Sequence, residues 1–353
     1  MFKSNLQKIN RVSNYCFDRS GYLRLDANER NFDFAKNQIQ KFKNCLSSFL
    51  LQAYPVGSEK LTRLIAKDEK INKNYILISA GIDGALKIIF ESISYKKKFI
   101  LSSIWPTYGM ISVFSKIFNF QIERILENKK TFDNFLNSKG NCVYIANPNS
   151  PSGKIICIKK IEKIVEKNYK KGIFVIIDEA YIDFADQKSS NYLVKKYNNL
   201  IVLKSFSKSY GLAGIRVGYI ITNPKNFRHL GKTKSMFDIS AFSLKIAETA
   251  IKERNFKKNY LNLIKKNKIL FENKCKIRNI KHSLTQANFA YIFLEPKKVK
   301  KVFLFLMKKK ILVKTNFLGN FSYTDNAIRL SLTSSNNLDL FFKYFDLIIK
   351  KIR

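Results

Sequence analysis

Short apolar runs alternate with stretches of helical period along most of this chain, which predicts an α/β architecture with a mainly parallel sheet. Residues 75–79 read as a strand, and beyond the turn at Gly81 the side chains of Leu86, Ile89, Phe90 and Ile93 share one helix face. Residues 99–101 form a further short strand, with Pro106 where a helix would start. Residues 142–146 read as a strand, and Ile161, Ile164, Val165 and Asn168 mark the helix after it, closed near Gly172. The run 174–177 is apolar on both faces, as a central buried parallel strand must be. Residues 200–203 and 217–221 complete the set.

The last third changes character. Residues 289–294, 311–313 and the alternating Ile328, Leu330 and Leu332 predict a separate, smaller sheet, and 338–349 an amphipathic closing helix. The expected organisation is a large sheet domain over residues 45–235, with 1–44 and 236–353 forming a smaller α/β domain. At 353 residues the chain is long enough for two lobes with large cores. No apolar run approaches the roughly 20 residues that span a bilayer. The polar N-terminal stretch lacks the apolar core of a secretory signal, so a cytoplasmic protein is expected. Cys16, Cys45, Cys142, Cys157 and Cys275 are scattered, with no spacing that suggests a disulfide framework or a metal site.

Charge is the unusual feature: 65 Lys and Arg against 26 Asp and Glu, a formal +39. A polyanionic partner has to be weighed. The basic residues, however, occur in short runs throughout, at 96–98, 170–171, 195–196, 257–258, 308–310 and 350–353. Lys, Asn, Ile and Phe are all abundant, as in a chain encoded by an AT-rich genome. The scatter favours solvated surface lysines over a nucleic-acid face and leaves a general preference for anionic substrates.

In open α/β sheets the loops leaving the carboxyl ends of strands build the site. Directly after the strand at 200–203, Lys208 has Ser205 and Ser207 before it and Arg216 after it, in a sparsely charged stretch of a lysine-rich chain. An amine in that setting suits an imine with an aldehyde, while hydroxyls and a guanidinium hold a nearby phosphate. Asp178 emerges from the most apolar strand, where a carboxylate is costly unless a cation faces it. A protonated pyridine nitrogen is such a cation, and pyridoxal phosphate carries aldehyde, phosphate and pyridine together. Tyr181 can donate to the ring oxygen of that cofactor. The alternative for Asp178 is a strand-end cap on a turn. Gly81, Ile82 and Asp83 join a strand to a helix N-terminus, where exposed amides and the helix dipole bind phosphate.

With these segments in hand, the chain resembles the fold-type I pyridoxal-phosphate aminotransferases, in particular the histidinol-phosphate aminotransferase branch. The resemblance runs through Leu25-Asp26-Ala27-Asn28-Glu29, Ala53-Tyr54-Pro55, the Gly81 turn, Pro106-Thr107-Tyr108-Gly109-Met110, the loop from Asn147 to Gly153, the segment from Asp178 to Phe184, the Lys208 loop and Ile328-Arg329-Leu330. It implies that Lys208 is both the Schiff-base residue and the proton shuttle, that Asp178 pairs with the ring nitrogen and that Tyr181 meets the ring oxygen. It further implies that Tyr108 stacks on the ring, and that the Ile82 and Asp83 amides, Ser205, Ser207 and Arg216 hold the phosphate. Tyr54 would reach the phosphate of a neighbouring subunit in a homodimer. Arg329 would grip the substrate carboxylate by a two-point contact, with Asn28 also on the substrate side.

Three departures stand out. The family's Asn-Asn-Pro-Thr-Gly loop reads Asn149-Ser150-Pro151-Ser152-Gly153, so Ser150 stands where an asparagine usually meets the ring oxygen and Asn149 is the candidate to compensate. Lys314 stands where many relatives place an Arg for the substrate's distal phosphate, and Arg30 adds a cation near the expected substrate mouth. The leading expectation is transamination between glutamate and a small phosphorylated carbonyl compound, histidinol phosphate or a similar phosphate. A decarboxylase of phosphoserine or phosphothreonine type shares the same motifs. A nucleic-acid-binding protein on a retired scaffold would predict decay of the site residues, which are intact.

Overall fold

The structure is a computed structural model that describes Ile9 and residues 17–55, 57–94, 98–315 and 326–352. Cys16, Lys96, Lys97 and Arg353 lie outside the described residues, as does most of the N-terminal stretch. Twelve strands occur among the described residues: β1 (Leu23–Arg24), β2 (Ile76–Ser79), β3 (Ile100–Trp105), β4 (Gln121–Leu126), β5 (Cys142–Ala146), β6 (Phe174–Asp178), β7 (Leu200–Ser205), β8 (Gly218–Thr222), β9 (His282–Leu284), β10 (Phe289–Phe293), β11 (Ile311–Leu312) and β12 (Ala327–Ser331). Seven of them form the large sheet in the order β2-β8-β7-β6-β5-β3-β4. All neighbours are parallel except β8, which runs against both β2 and β7.

The two-residue period of the strands divides the core. Val143, Ile145, Val175, Ile177 and Val202 pack on one face with Leu61, Ile65, Ile161 and Leu244. Tyr144, Ala146, Ile176 and Leu203 pack on the other with Leu86, Phe90, Leu101 and Phe114. Helices therefore cover both faces, which is why the runs 174–177 and 200–203 in the central strands are apolar at every position. The helix Gly81–Ile93 buries Leu86, Ile89 and Phe90 as its periodicity predicts, and Ile158–Lys170 buries Ile161, Ile164, Val165 and Asn168. Asp178 comes one residue after Ile177, so it faces the Tyr144 side of the sheet.

The structure corrects several expectations. Pro106 does not start a helix: it follows β3 in an irregular turn, and the helix begins at Met110. Strand β4 carries Gln121, Glu123 and Arg124, and its charged, half-exposed edge masks the strand pattern. The tail builds two small sheets instead of one. β12-β10-β9 is antiparallel, while β11 pairs with β1 and touches β12 through one bridge, Lys314 to Arg329. The large core also runs past residue 235, because Ile239, Leu244, Ile246, Ala247, Ala250 and Phe256 pack within it. A second core gathers Leu25, Ile264, Phe271, Val302, Ile328, Leu330 and Phe341. Among the described residues, Cys45, Cys142, Cys157 and Cys275 are free thiols, and no helix is long and apolar enough to cross a membrane.

Candidate active site

Because β8 is antiparallel to its neighbours, its amino end lies beside the carboxyl ends of β2 and β7. Gly218 is in register with both Ser79 and Ser205, while Asp178 is opposite Leu203. The Gly81 turn, Asp178, the Lys208 loop and Arg216 thus meet at one edge of the sheet.

Two glycines let the backbones close up there. Gly81 has φ +68°, and a Cβ on it would lie 2.8 Å from Arg216 Nη2; a Cβ on Gly218 would lie 2.8 Å from the Gly81 carbonyl carbon. Arg216 Nη1 donates to Ser207 Oγ at 3.4 Å and to the Ala213 carbonyl at 3.2 Å, and Nη2 is 3.7 Å from Asp83. Ser205 Oγ accepts from the Ser207 N–H at 3.0 Å. The first amides of the helix Gly81–Ile93 have no partner within the helix and carry the positive end of its dipole. Amides, hydroxyls and a guanidinium on one concave corner are the donor set an anion such as phosphate requires.

Lys208 Nζ donates to the carbonyls of Ala27 at 3.1 Å and Asn28 at 3.0 Å, and lies 5.5 Å from the Tyr181 ring centroid. Asn28 adopts φ 53° and donates from Nδ2 to the Tyr181 hydroxyl at 3.1 Å. Its backbone is fixed by Ser331 Oγ at 2.9 Å and by the Asn288 amide at 3.1 Å. Asp178 is only 5% exposed and accepts from the Tyr144 hydroxyl at 2.7 Å and the Ala180 N–H at 3.0 Å. Burial pushes this carboxyl up to about 6, against the pull of those two donors and with added repulsion from Asp83 and Glu179. Tyr108 donates to Asp83 at 2.8 Å; burial first, and then the Asp83 charge, hold its phenol above the ordinary value.

Arg329 Nη2 donates to the Asp26 carbonyl at 2.9 Å, and its guanidinium lies 5.1 Å from the Phe289 ring centroid. Lys314 is its antiparallel bridge partner, with reciprocal 2.9 Å backbone bonds. Burial lowers the Lys314 pKa, and the neighbouring Arg329 charge lowers it further.

Two candidates are placed differently from expectation. Arg30 does not project a free cation: it donates to the Phe32 and Asp33 carbonyls and packs on the rings of Phe34 and Phe32, 4.0 and 4.6 Å from their centroids. Its stem lies against Gly211, where a Cβ would be 2.9 Å from Arg30 Cδ. The Asn149 side-chain amide is committed to Pro106, Glu127 and Ser152, so it braces loops instead of facing outward. Tyr54 is 77% exposed and stacks on Phe237 at 4.7 Å. Sequence reasoning missed Tyr144, Asn288 and Glu127. A tyrosine inside an otherwise apolar strand, three residues before a site loop, is the one available signal among these.

A family model described as aminotransferase class I and II matches residues 20–345. The chain belongs to this family. It is accordingly a pyridoxal-phosphate-dependent transaminase. It is 32% identical to the histidinol-phosphate aminotransferase of Brachyspira hyodysenteriae, over 85% of each chain. Among solved structures it is similar to histidinol-phosphate aminotransferase from Sinorhizobium meliloti in complex with pyridoxal-5'-phosphate. There the TM-score is 0.87 at 18% identity, covering 100% of this chain and 98% of that one. L-threonine-O-3-phosphate decarboxylase from Porphyromonas gingivalis shares the fold at a TM-score of 0.81 and 16% identity, covering 93% and 99%. The aminotransferase site fits the cofactor on its own terms. Among the described residues, Asp178 is a buried acid with no ion-pair partner, and the buried Asn28 Oδ1 and Arg329 Nε have no hydrogen-bond partner.

Proposed function

We propose that this aminotransferase moves an amino group between glutamate and a small phosphorylated carbonyl compound, with the histidinol phosphate and imidazole acetol phosphate pair the first to test. The observation that carries this reading is the Arg329 and Lys314 bridge, two cations on facing backbone positions that suit a carboxylate and a phosphate. When bound, pyridoxal phosphate supplies an electron sink for a broken bond at the substrate Cα.

The chain's own residues do the rest. Asp178 would keep a proton on the ring nitrogen, Tyr181 with Asn28 behind it would meet the ring oxygen, and Tyr108 would pack on the ring. The Gly81, Ile82 and Asp83 amides with Ser205, Ser207 and Arg216 would hold the phosphate. Lys208 Nζ would hold the cofactor through its aldehyde and, as a free amine, would accept the proton that leaves substrate Cα. Arg329 orients the substrate carboxylate, Lys314 takes the distal phosphate as a point charge, and Asn149 acts indirectly by bracing its loop. A cytoplasmic homodimer belongs to the same proposal. Its support is the exposed apolar side chains Phe49, Leu51, Tyr54, Met236 and Phe237, of a kind that a subunit interface buries. The small domain is proposed to begin after Phe256.

The test is a panel of amino donors against phosphorylated acceptors, read by mass spectrometry. Glutamate should convert bound cofactor to its amine form, and imidazole acetol phosphate should discharge it. Carbon dioxide released from phosphoserine or phosphothreonine, without conversion by glutamate, would overturn the transaminase reading.

A further inference from the structure

We propose that Tyr144 is a positioning residue for the cofactor ring: its hydroxyl occupies Asp178 Oδ2 and keeps that carboxylate ionised and in one orientation. This rests on the reading that Asp178 faces the ring nitrogen. In the β5–β6 register Ala146 is opposite Asp178 and Tyr144 is opposite Ile176, so Tyr144 is the diagonal neighbour on the same sheet face. The small Ala146 leaves room for the phenol to reach across, and Tyr144 Oη donates to Asp178 Oδ2 at 2.7 Å. Tyr144 is 0% exposed and packs among apolar side chains. Its phenol is held well above the ordinary value, chiefly by burial and then by Asp178, so the protonated donor is its only accessible form.

Among the described residues, the other groups that act on Asp178 offer it no cation. Asp83 approaches from the helix Gly81–Ile93, Glu179 is next along the chain, and the Tyr108 phenol lies within electrostatic range. Two hydrogen bonds, from Tyr144 and the Ala180 N–H, oppose burial and like charge. A donor to a carboxylate favours the charged form, and one such bond shifts the ionisation equilibrium by roughly tenfold. A tyrosine that merely fills the core would have no such effect.

Tyr144→Phe keeps the shape and removes only the hydroxyl. The dissociation constant for pyridoxal phosphate, measured by equilibrium dialysis from about pH 5 to pH 9, separates the two roles. In the unsubstituted protein affinity should fall on the acid side as Asp178 protonates near 6. In Tyr144→Phe that limb should move up by about one pH unit, with affinity at the alkaline end within about twofold. Asp178→Asn should abolish the limb, and Tyr144→Phe added to it should then do nothing more. A limb that stays in place, or an equal loss at every pH, overturns the role of Tyr144 alone. An Asp178→Asn protein that binds as tightly as the unsubstituted one at every pH overturns the reading of Asp178, and this inference with it.

Discussion

Substituting Gly81 by alanine tests the phosphate corner through two separable effects. Gly81 has φ +68°, a region that costs an L-residue about 1–2 kcal/mol, and this strain is present with or without ligand. It should therefore appear as a melting temperature lowered by a few degrees in the cofactor-free protein. The new Cβ would lie 2.8 Å from Arg216 Nη2, too close for any real contact. Since the guanidinium is the far end of a flexible, half-exposed side chain, it moves and the backbone stays. Displacing it by several tenths of an ångström forfeits about one charge-assisted hydrogen bond to phosphate, roughly 1.5–3 kcal/mol, or about ten- to hundredfold in affinity. Fluorescence titration of the apo protein with pyridoxal phosphate measures that loss. In an Arg216→Ala background Gly81→Ala should still lower the melting temperature but should barely change the affinity, because the group it displaces is gone. Unchanged affinity in the single variant, or full additivity in the double one, would refute the assignment of Arg216 to the phosphate.

Lys208→Ala should abolish the visible absorbance of the holoenzyme and lower kcat by several orders of magnitude, and borohydride should fix no cofactor on the chain. Lys314→Ala should raise KM for the phosphorylated substrate by roughly tenfold or more while leaving the half-reaction with glutamate within about twofold, measured by stopped-flow absorbance. Lys204 is buried and donates to both oxygens of Glu69, at 2.9 and 2.8 Å, with Glu179 3.9 Å away; burial alone would lower its pKa, yet those carboxylates hold it above the ordinary lysine value. Lys204→Met should strand those carboxylates and destabilise the fold by about 3–5 kcal/mol in urea unfolding. Tyr54→Ala should weaken cofactor binding only at protein concentrations where sedimentation shows a dimer.

The difference between what the chain announced and what it hid follows from which interactions are local. The central strands and the Gly81 helix were legible because burial on both faces leaves no room for polar residues, and a helix stripe repeats every turn. Strand β4 was hidden for the complementary reason, since an edge strand facing solvent takes charges without cost. Residue type also singled out Lys208, Asp178 and Arg216 as candidates, because their chemistry is rare in apolar loops. What it did not reveal was how each side chain's hydrogen-bonding capacity is spent. Arg30 and Arg216 look equally free in sequence, yet Arg30 is bound to two carbonyls and sandwiched by rings, while Arg216 stays half-exposed beside a helix N-terminus. Asn149 carries a family motif but is saturated by Pro106, Glu127 and Ser152, which come from three loops. Tyr144 is the converse, a residue that reads as core packing until the register of β5 against β6 sets its hydroxyl on Asp178. An anion- or cofactor-binding role is therefore decided by the partners a group lacks. That is a property of the assembled sheet edge, which no single segment of the sequence carries.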